Sequence, residues 1–432
     1  HPLAVLADVV SLDRGILAVR TGAWPEAIQT LEPLGPRLVD FPRQALLRRA
    51  LGLARFRLGQ FDLAERQFRQ AAHVAPAEPS SWLGVGLAAL AQSRLAEAED
   101  ALNRARLAAV PDLSAAATYG LVLTALRRGD ADQFRERATA FVDRHPTYPA
   151  TPAVFYGLVA AALDRGDLDA GETWVRRLAR DQPRSDYLPD ALVRLAAATA
   201  DKRPAVARQA YLDLLALRPA GAGRTDAWLG IAEAALALGD PQGAQQAAEG
   251  FLREAAPGDP RVAEGYVFLV RAHQMQGQRE QALQATDAFL ARSGDDPRAP
   301  AVQLARGQLL VDSGAWDPAQ RAFEAARDRG EPSVAAPAQF WLGETLRARD
   351  QHEAAISAYL GATYLYPESP WAARGLQGAA QSYLARNMPR EAGIALRKLI
   401  AQPNVEPALA QWARQVLAQL GPAAASGTAS HR

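Results

Sequence analysis

The chain contains no cysteine, which excludes disulfides, thiolate metal sites and a cysteine nucleophile. Methionine and lysine are almost as scarce: there are two Met, and only Lys202 and Lys398 are lysines among 48 basic residues. This arginine skew, together with abundant alanine, reads as the mark of a GC-rich genome rather than of selected phosphate binding. A net charge of +1 with 22% charged residues lacks the basic excess of a nucleic-acid binder and the acidic excess of a disordered tail. Long apolar runs are missing too. The most apolar stretch, residues 3–19, is interrupted by Asp8, Asp13 and Arg14, so it falls short of the ~18–20 residues of a membrane span. Sustained period-two alternation is absent, whereas apolar residues recur at spacings of three and four nearly everywhere. At 432 residues the chain is too long for one core, leaving either several domains or a repeat array. A first residue of His rather than Met is read as a processed or trimmed form, a removed export signal being one explanation.

What is present is a period. In FWLGETLRARDQHEAAISAYLGATYLYP (340–367), Gly343, Ala355 and Pro367 stand twelve residues apart. With Ala355 as anchor, equivalent positions are Ala27, Ala64, Ala98, Phe134, Gly171, Ala207, Ala244, Ala282, Ala319 and Ala392, at spacings of 34 to 38 residues. Twelve residues before each anchor stand Gly15, Gly52, Gly86, Val122, Val159, Leu195, Ala232, Val270, Gly307, Gly343 and Ala380. Five before it comes a turn, at Gly22, Gly59, Ser93, Gly129, Gly166, Lys202, Gly239, Gly277, Gly314, Asp350 and Asn387. Gly, Asn and Asp tolerate the left-handed backbone that ends a helix; Lys202 is the misfit. Pro76, Pro146, Pro183, Pro219 and Pro367 follow their anchors by twelve and stop the second helix. The small pair is expected where two antiparallel helices cross with close backbones. Larger residues four or seven after the anchor, such as Phe323, Tyr359, Phe251 and Phe289, are expected to face the next repeat. A lone hairpin cannot bury that face, so stacking is required.

This pattern resembles the tetratricopeptide repeat, with segments 45–78, 79–112 and 336–369 matching well. The resemblance extends over residues 8–404 as about eleven repeats, starting near 8, 45, 79, 115, 152, 188, 225, 263, 300, 336 and 373. Repeats longer than 34 residues and proline-rich junctions are similar to the variant of bacterial periplasmic proteins, and segment 336–400 resembles the periplasmic coordinator of the Tol–Pal system. The resemblance implies an all-α, right-handed α-solenoid. Residues 1–7 form an apolar lead-in. A final helix at 405–420, with Leu409, Trp412, Val416 and Leu420 on one stripe, is expected to cap the array, and 421–432 is a low-complexity tail.

In that family the first helix of each pair lines a concave surface. Carried over by position, the wall comprises Leu83, Leu87, Tyr119, Leu123, Tyr156, Leu192 and Leu229, followed by Glu233, Arg271, Gln308, Phe340, Glu344 and Gln381. It is apolar first and mixed polar later. One reading is a groove for an extended or helical peptide with an apolar end; the other is that these side chains complete the packing of a tight superhelix. The Lys and Asn residues with which related clamps hold a terminal carboxylate are missing at these positions.

Catalytic patterns are not found. The six histidines are scattered, and no GxSxG, HExxH or P-loop occurs. PAGAGRTD at 219–226 reads as a loop, the RGD triplets at 128–130 and 165–167 as helix punctuation, and the acids around Asp164–Glu172 as caps rather than calcium ligands. A non-enzyme without cofactor or metal is expected. Three functions compete: a protein-binding scaffold of a bacterial cell envelope, exported to the periplasm or beyond; a self-assembling homo-oligomer or filament, with Leu3, Val5, Leu6, Val9 and Val10 of the apolar N-terminal helix as contact candidates; and a periplasmic module of a polysaccharide-export or secretion apparatus. Partners are expected to be proteins or peptides, with no nucleic acid and no direct membrane span.

Overall fold

The computed structural model describes residues 2–217, 222–256, 258–403 and 405–420, with side chains from residue 5 onward and, after the first gap, from residue 223. Pro219, the first residues of segment 219–226 and the 421–432 tail lie outside the described residues, as does the side chain of Leu3; from Ala222 onward the segment read as a loop is instead helical.

Among the described residues there are 23 α-helices and no strand. They fall into two compact units, 1–201 and 202–432. The first unit holds five hairpins: α1 (Pro2–Arg20) with α2 (Trp24–Leu31), α3 (Phe41–Arg57) with α4 (Phe61–Val74), α5 (Pro79–Ala91) with α6 (Leu95–Ala105), α7 (Pro111–Arg128) with α8 (Ala131–Arg144), and α9 (Thr151–Asp164) with α10 (Leu168–Asp181). Helix α11 (Leu188–Thr199) ends it. The second unit opens with α12 (Pro204–Ala216). Five hairpins follow: α13 (Ala222–Ala237) with α14 (Pro241–Glu254), α15 (Val262–Met275) with α16 (Arg279–Ser293), α17 (Ala299–Val311) with α18 (Trp316–Arg329), α19 (Pro332–Ala348) with α20 (His352–Tyr364), and α21 (Pro370–Ala385) with α22 (Pro389–Ile400). Helix α23 (Pro407–Gln419) comes last. Helix α1 already begins at Pro2, ahead of the repeat boundary read at residue 8.

Within each unit the two helices of a hairpin pack on one another, and the second helix also packs on the first helix of the next hairpin. First helices therefore form one layer, touching at α1–α3, α3–α5 and α5–α7 in the first unit and at α17–α19 and α19–α21 in the second. Second helices form the other layer, and most are amphipathic. In α10, Gly171, Val175 and Leu178 are buried while Asp169, Arg176 and Arg180 point outward, the spacing a one-sided helix requires.

The hairpin turns use left-handed backbone at Gly22, Gly59, Gly129, Gly166, Gly239, Gly277 and Gly314, and at Ser93, Asp350 and Asn387. Lys202 is not in that set. The two RGD triplets are such turns: Asp130 and Asp167 cap α8 and α10 by accepting from the backbone N–H of Gln133 at 2.9 Å and Ala170 at 3.0 Å.

Every alanine anchor is fully buried, from Ala27 to Ala392. The residue twelve before each anchor is also buried, whether Gly or a larger residue such as Val159 or Leu195. The reason differs from the expected backbone approach. A Cβ added at Gly343 would stand 2.6 Å from the ring of Tyr359, and one at Gly52 2.8 Å from the ring of Phe68. The glycine makes room for the large side chain four beyond the anchor of its own hairpin. That side chain reaches both ways: Phe68 also fills the space at Gly84, Leu102 the space at Gly120, and Tyr359 the space at Gly378, each on the next first helix. The expectation that these residues face the next repeat thus describes half of their contacts. Where the receiving position is not small, Trp341 stacks on Phe323 at 6.4 Å. Phe251 and Phe289, seven beyond their anchors, are fully buried. They pack toward the next first helix, at Gly265 and at Ala299 with Val302 respectively.

Ion pairs stitch neighbouring hairpins on the outer side. A side chain six before an anchor reaches back to the preceding second helix in Arg128–Glu99 at 2.7 Å, Arg349–Asp317 at 2.8 Å and Arg386–Glu353 at 3.3 Å. Gln92 does the same to Glu65 at 3.0 Å. The cap α23 lays Leu409, Trp412, Val416 and Leu420 against the cluster of Leu376, Ala380, Leu396 and Leu399.

Candidate protein-binding surface

The wall positions follow the hairpin register: on each first helix they stand fifteen and eleven before the anchor, one turn apart. At the N-terminal end of the first unit this face of α1, α3 and α5 opens into a recess of about 550 Å³. Its floor is Ile16, Val19, Leu46, Ala50, Leu53, Phe56, Leu83 and Leu87, with Phe68 and Gly84 behind, and Arg20, Arg49, Arg57 and Ser80 complete the lining. No aspartate or glutamate lines it. Arg49 is engaged, donating to Ser80 Oγ at 2.9 Å and pairing with Glu78 at 3.2 Å. Glu78 in turn sits below the usual carboxylate range, chiefly through the hydrogen bond from Ser80; burial opposes this, and the charge of Arg49 adds to the lowering.

Leu83 and Leu87 thus lie in an open surface, in company the repeat-by-repeat reading did not include. It began the wall at the third repeat. The same two offsets on α1 and α3 point to Leu12 and Ile16, and to Arg49 and Leu53, so the signal was present in the register.

Further along the first unit the wall is aromatic. Tyr119 is half-buried, 5.7 Å from Phe141 and 6.1 Å from Tyr148, and burial raises its hydroxyl above the usual tyrosine range. Tyr156 lies 5.7 Å from Tyr187, and Leu123 is half-buried. Leu192 is only 3% exposed and belongs to the core.

In the second unit Leu229 is likewise core, at 7% exposure. Glu233 and Arg271 are exposed and line a second recess of about 550 Å³ with Leu236, Ala237, Phe268, Gln274 and Met275. Gln308 and Gln381 are half-buried. Phe340 sits among aromatics, 5.9 Å from Trp341, 5.8 Å from Tyr359 and 5.1 Å from Trp371. Glu344 is committed inward: Tyr359 Oη donates to its Oε1 at 2.5 Å, and Arg347 pairs with it at 2.6 Å. Burial of Tyr359, reinforced by that carboxylate, raises its hydroxyl far above the ordinary value.

Of the self-association candidates, Val5, Leu6 and Val10 are exposed at 58%, 61% and 60%, and Val9 is half-buried. Val10 stands seventeen before its anchor, a position that is buried at Leu47, Ser81, Ala117 and Val154 in the following repeats. Leu17, ten before its anchor and 61% exposed, corresponds to the fully buried Ala54, Ala88 and Thr124. Helix α1 therefore shows the face that later first helices cover with the preceding hairpin.

Among the described residues no three His, Asp or Glu side chains converge as a metal set, and no helix is long and apolar enough to cross a membrane.

The tetratricopeptide repeat family matches residues 49–114, 119–186 and 304–370. Over those segments, just under half of the chain, the hairpins are tetratricopeptide repeats; the remaining hairpins keep the alanine anchor, while Leu195, Val270 and Lys202 depart from the small-residue and turn positions. Comparison with curated protein sequences finds no match. Among solved structures, the chain is similar to the Cut9–Hcn1 hetero-tetramer of the APC/C, with 17% identity over 95% of this chain and 83% of that one and a TM-score of 0.38. It is similar to yeast Tom70, with 13% identity over 96% of each chain and a TM-score of 0.38. A third is the C-terminal part of a repeat-containing protein from Cytophaga hutchinsonii, with 15% identity over 59% of this chain and 98% of that one and a TM-score of 0.45.

Proposed function

We propose that this chain is a non-catalytic scaffold that holds segments of other proteins against the first-helix walls of its hairpins, in the envelope of a bacterium and outside its cytoplasm. One observation carries the binding reading: Leu46, Leu53, Leu83 and Leu87 line an open recess instead of being sealed by packing, and open apolar surface of this kind is kept where a partner covers it. The repeat family supports the same reading, since stacked hairpins offer long contact surfaces. The envelope address rests on the absence of cysteine and on the resemblance to periplasmic repeat proteins. Photocrosslinking groups placed at Leu53 and Leu87 in the native host test the binding reading against one at exposed Arg66 on the outer layer. The inner sites should trap one shared partner segment. Equal trapping at Arg66, or none inside, overturns it. Fractionation of the same cells tests the address.

A second reading is self-association through α1, favoured by the uncovered Leu6, Val10 and Leu17. Light scattering of the chain with Leu6→Glu and Val10→Glu decides it: a mass that falls to that of one chain supports the reading, and a single-chain mass before and after removes it.

A further inference from the structure

We propose that the recess between α1, α3 and α5 selects an acidic amphipathic segment, one in which apolar side chains are accompanied by carboxylates. The proposal rests on the binding reading above and adds the chemistry of the partner.

The floor dictates the apolar part. Ile16, Val19, Leu53, Phe56, Leu83 and Leu87 are contributed by three adjacent first helices. Helices packed side by side at ~9 Å make a floor about 20 Å across, room for about four helical turns or six extended residues.

The rim dictates the charge. Three arginines line the recess and no carboxylate does. Arg49 is already neutralised by Glu78. Arg20 and Arg57 are exposed, and neither has a carboxylate partner among the described residues. Arg57 instead lies 5.8 Å over the ring of Trp24, which holds the guanidinium in place without compensating its charge. Both arginines stand seven residues before their anchors, in the last turns of α1 and α3, so the register sets them on the same edge of the wall. A segment whose leucines sit on the floor brings its neighbouring carboxylates against that edge, whereas a basic segment meets like charge there. The wall of the second unit differs: its recess carries both Glu233 and Arg271 and offers no single-sign edge.

The test uses synthetic fluorescent peptides and the full chain in an anisotropy titration. One peptide alternates leucine and glutamate; a second has glutamine for every glutamate, a third lysine, and a fourth keeps the glutamates but has serine for every leucine. The Leu/Glu peptide should bind tightest, with the glutamine version about five-fold weaker, as expected for two exposed ion pairs, and the lysine version weaker again. Added salt should shrink the difference. Arg20→Gln with Arg57→Gln should abolish the discrimination, bringing the affinity for the Leu/Glu peptide down to that for its glutamine version. Leu53→Asp should weaken binding of every leucine-containing peptide. Equal affinity for the glutamate, glutamine and lysine versions overturns the selectivity and leaves the scaffold reading standing. Binding of the serine peptide as tight as the leucine one overturns it as well, since charge alone would then account for capture. If no peptide binds and crosslinkers at Leu53 and Leu87 trap nothing, both readings fall together.

Discussion

The ring of Phe68 on α4 occupies the space that a side chain at Gly84 on α5 would need, and on its other side it covers Gly52 of its own hairpin. One aromatic thus locks two successive hairpins, and the same arrangement recurs with Leu102 between Gly86 and Gly120 and with Tyr359 between Gly343 and Gly378. Gly84→Ala should therefore destabilise the chain although alanine is the better helix former by about 1 kcal/mol. Overpacking of ~1–3 kcal/mol should outweigh that gain, and the denaturation midpoint should fall. A raised midpoint would mean that Phe68 has room to move aside.

Ala355 is fully buried at its helix crossing, whereas Gln351, one turn earlier, is exposed. Leucine at Ala355 should cost about 1–3 kcal/mol; leucine at Gln351 should stay within about 0.5 kcal/mol of the parent. Urea unfolding of both variants checks the register, and equal losses would show it to be misplaced.

Tyr359 contributes a pH dependence with a definite sign. Its hydroxyl is raised above the ordinary value near 10 by burial first and by Glu344 second. The native state therefore keeps a proton that the unfolded chain releases in alkali. The stability this provides is intact below about pH 10 and is lost progressively as pH rises above it. Tyr359→Phe should cost about 1–2 kcal/mol at neutral pH by removing the bonds to Glu344 and Arg347. It should also flatten the decline of the urea midpoint between about pH 9 and 11. An unchanged alkaline slope would assign that decline to other tyrosines, among them Tyr119, Tyr148, Tyr211 and Tyr383, which burial also raises.

Two ion pairs between neighbouring hairpins should differ in worth. Glu65 is 3% exposed and is held by Arg94, by Arg69 at 2.8 Å and by Gln92 at 3.0 Å. Glu353, paired with Arg386, is 83% exposed. Arg94→Ala leaves a buried carboxylate short of a partner and should cost about 1–3 kcal/mol, whereas Arg386→Ala should change stability by less than about 1 kcal/mol. Thermal unfolding of the two variants side by side distinguishes them.

Much of this was legible before any coordinates. Turn residues such as Gly129 and Asn387 could be placed because a left-handed backbone is a demand on one residue, and its chemistry shows in the sequence. The alanine anchors were legible for a similar reason: the position is alanine or glycine in every repeat but the one anchored at Phe134. The small series fourteen before the anchor (Gly84, Gly120, Gly157, Gly230 and Gly378) went unseen, because it answers to a large side chain of the preceding hairpin. Leu192 and Leu229 look like Leu83 and Leu87 on paper, yet the first two are buried and the others line an open recess. Glu344 reads as a wall residue but is drawn inward by Tyr359.

The sequence alone therefore determined that the chain is helical, where each helix turns back and which residues must be small at a crossing. These are local requirements of backbone geometry and volume, and a 34- to 38-residue period repeats them. Only the tertiary structure decided which apolar side chains remain open, which carboxylates are spent inside and where Arg20 and Arg57 stand unopposed. Exposure and pairing are properties of neighbours brought together by stacking, and no single repeat contains that information.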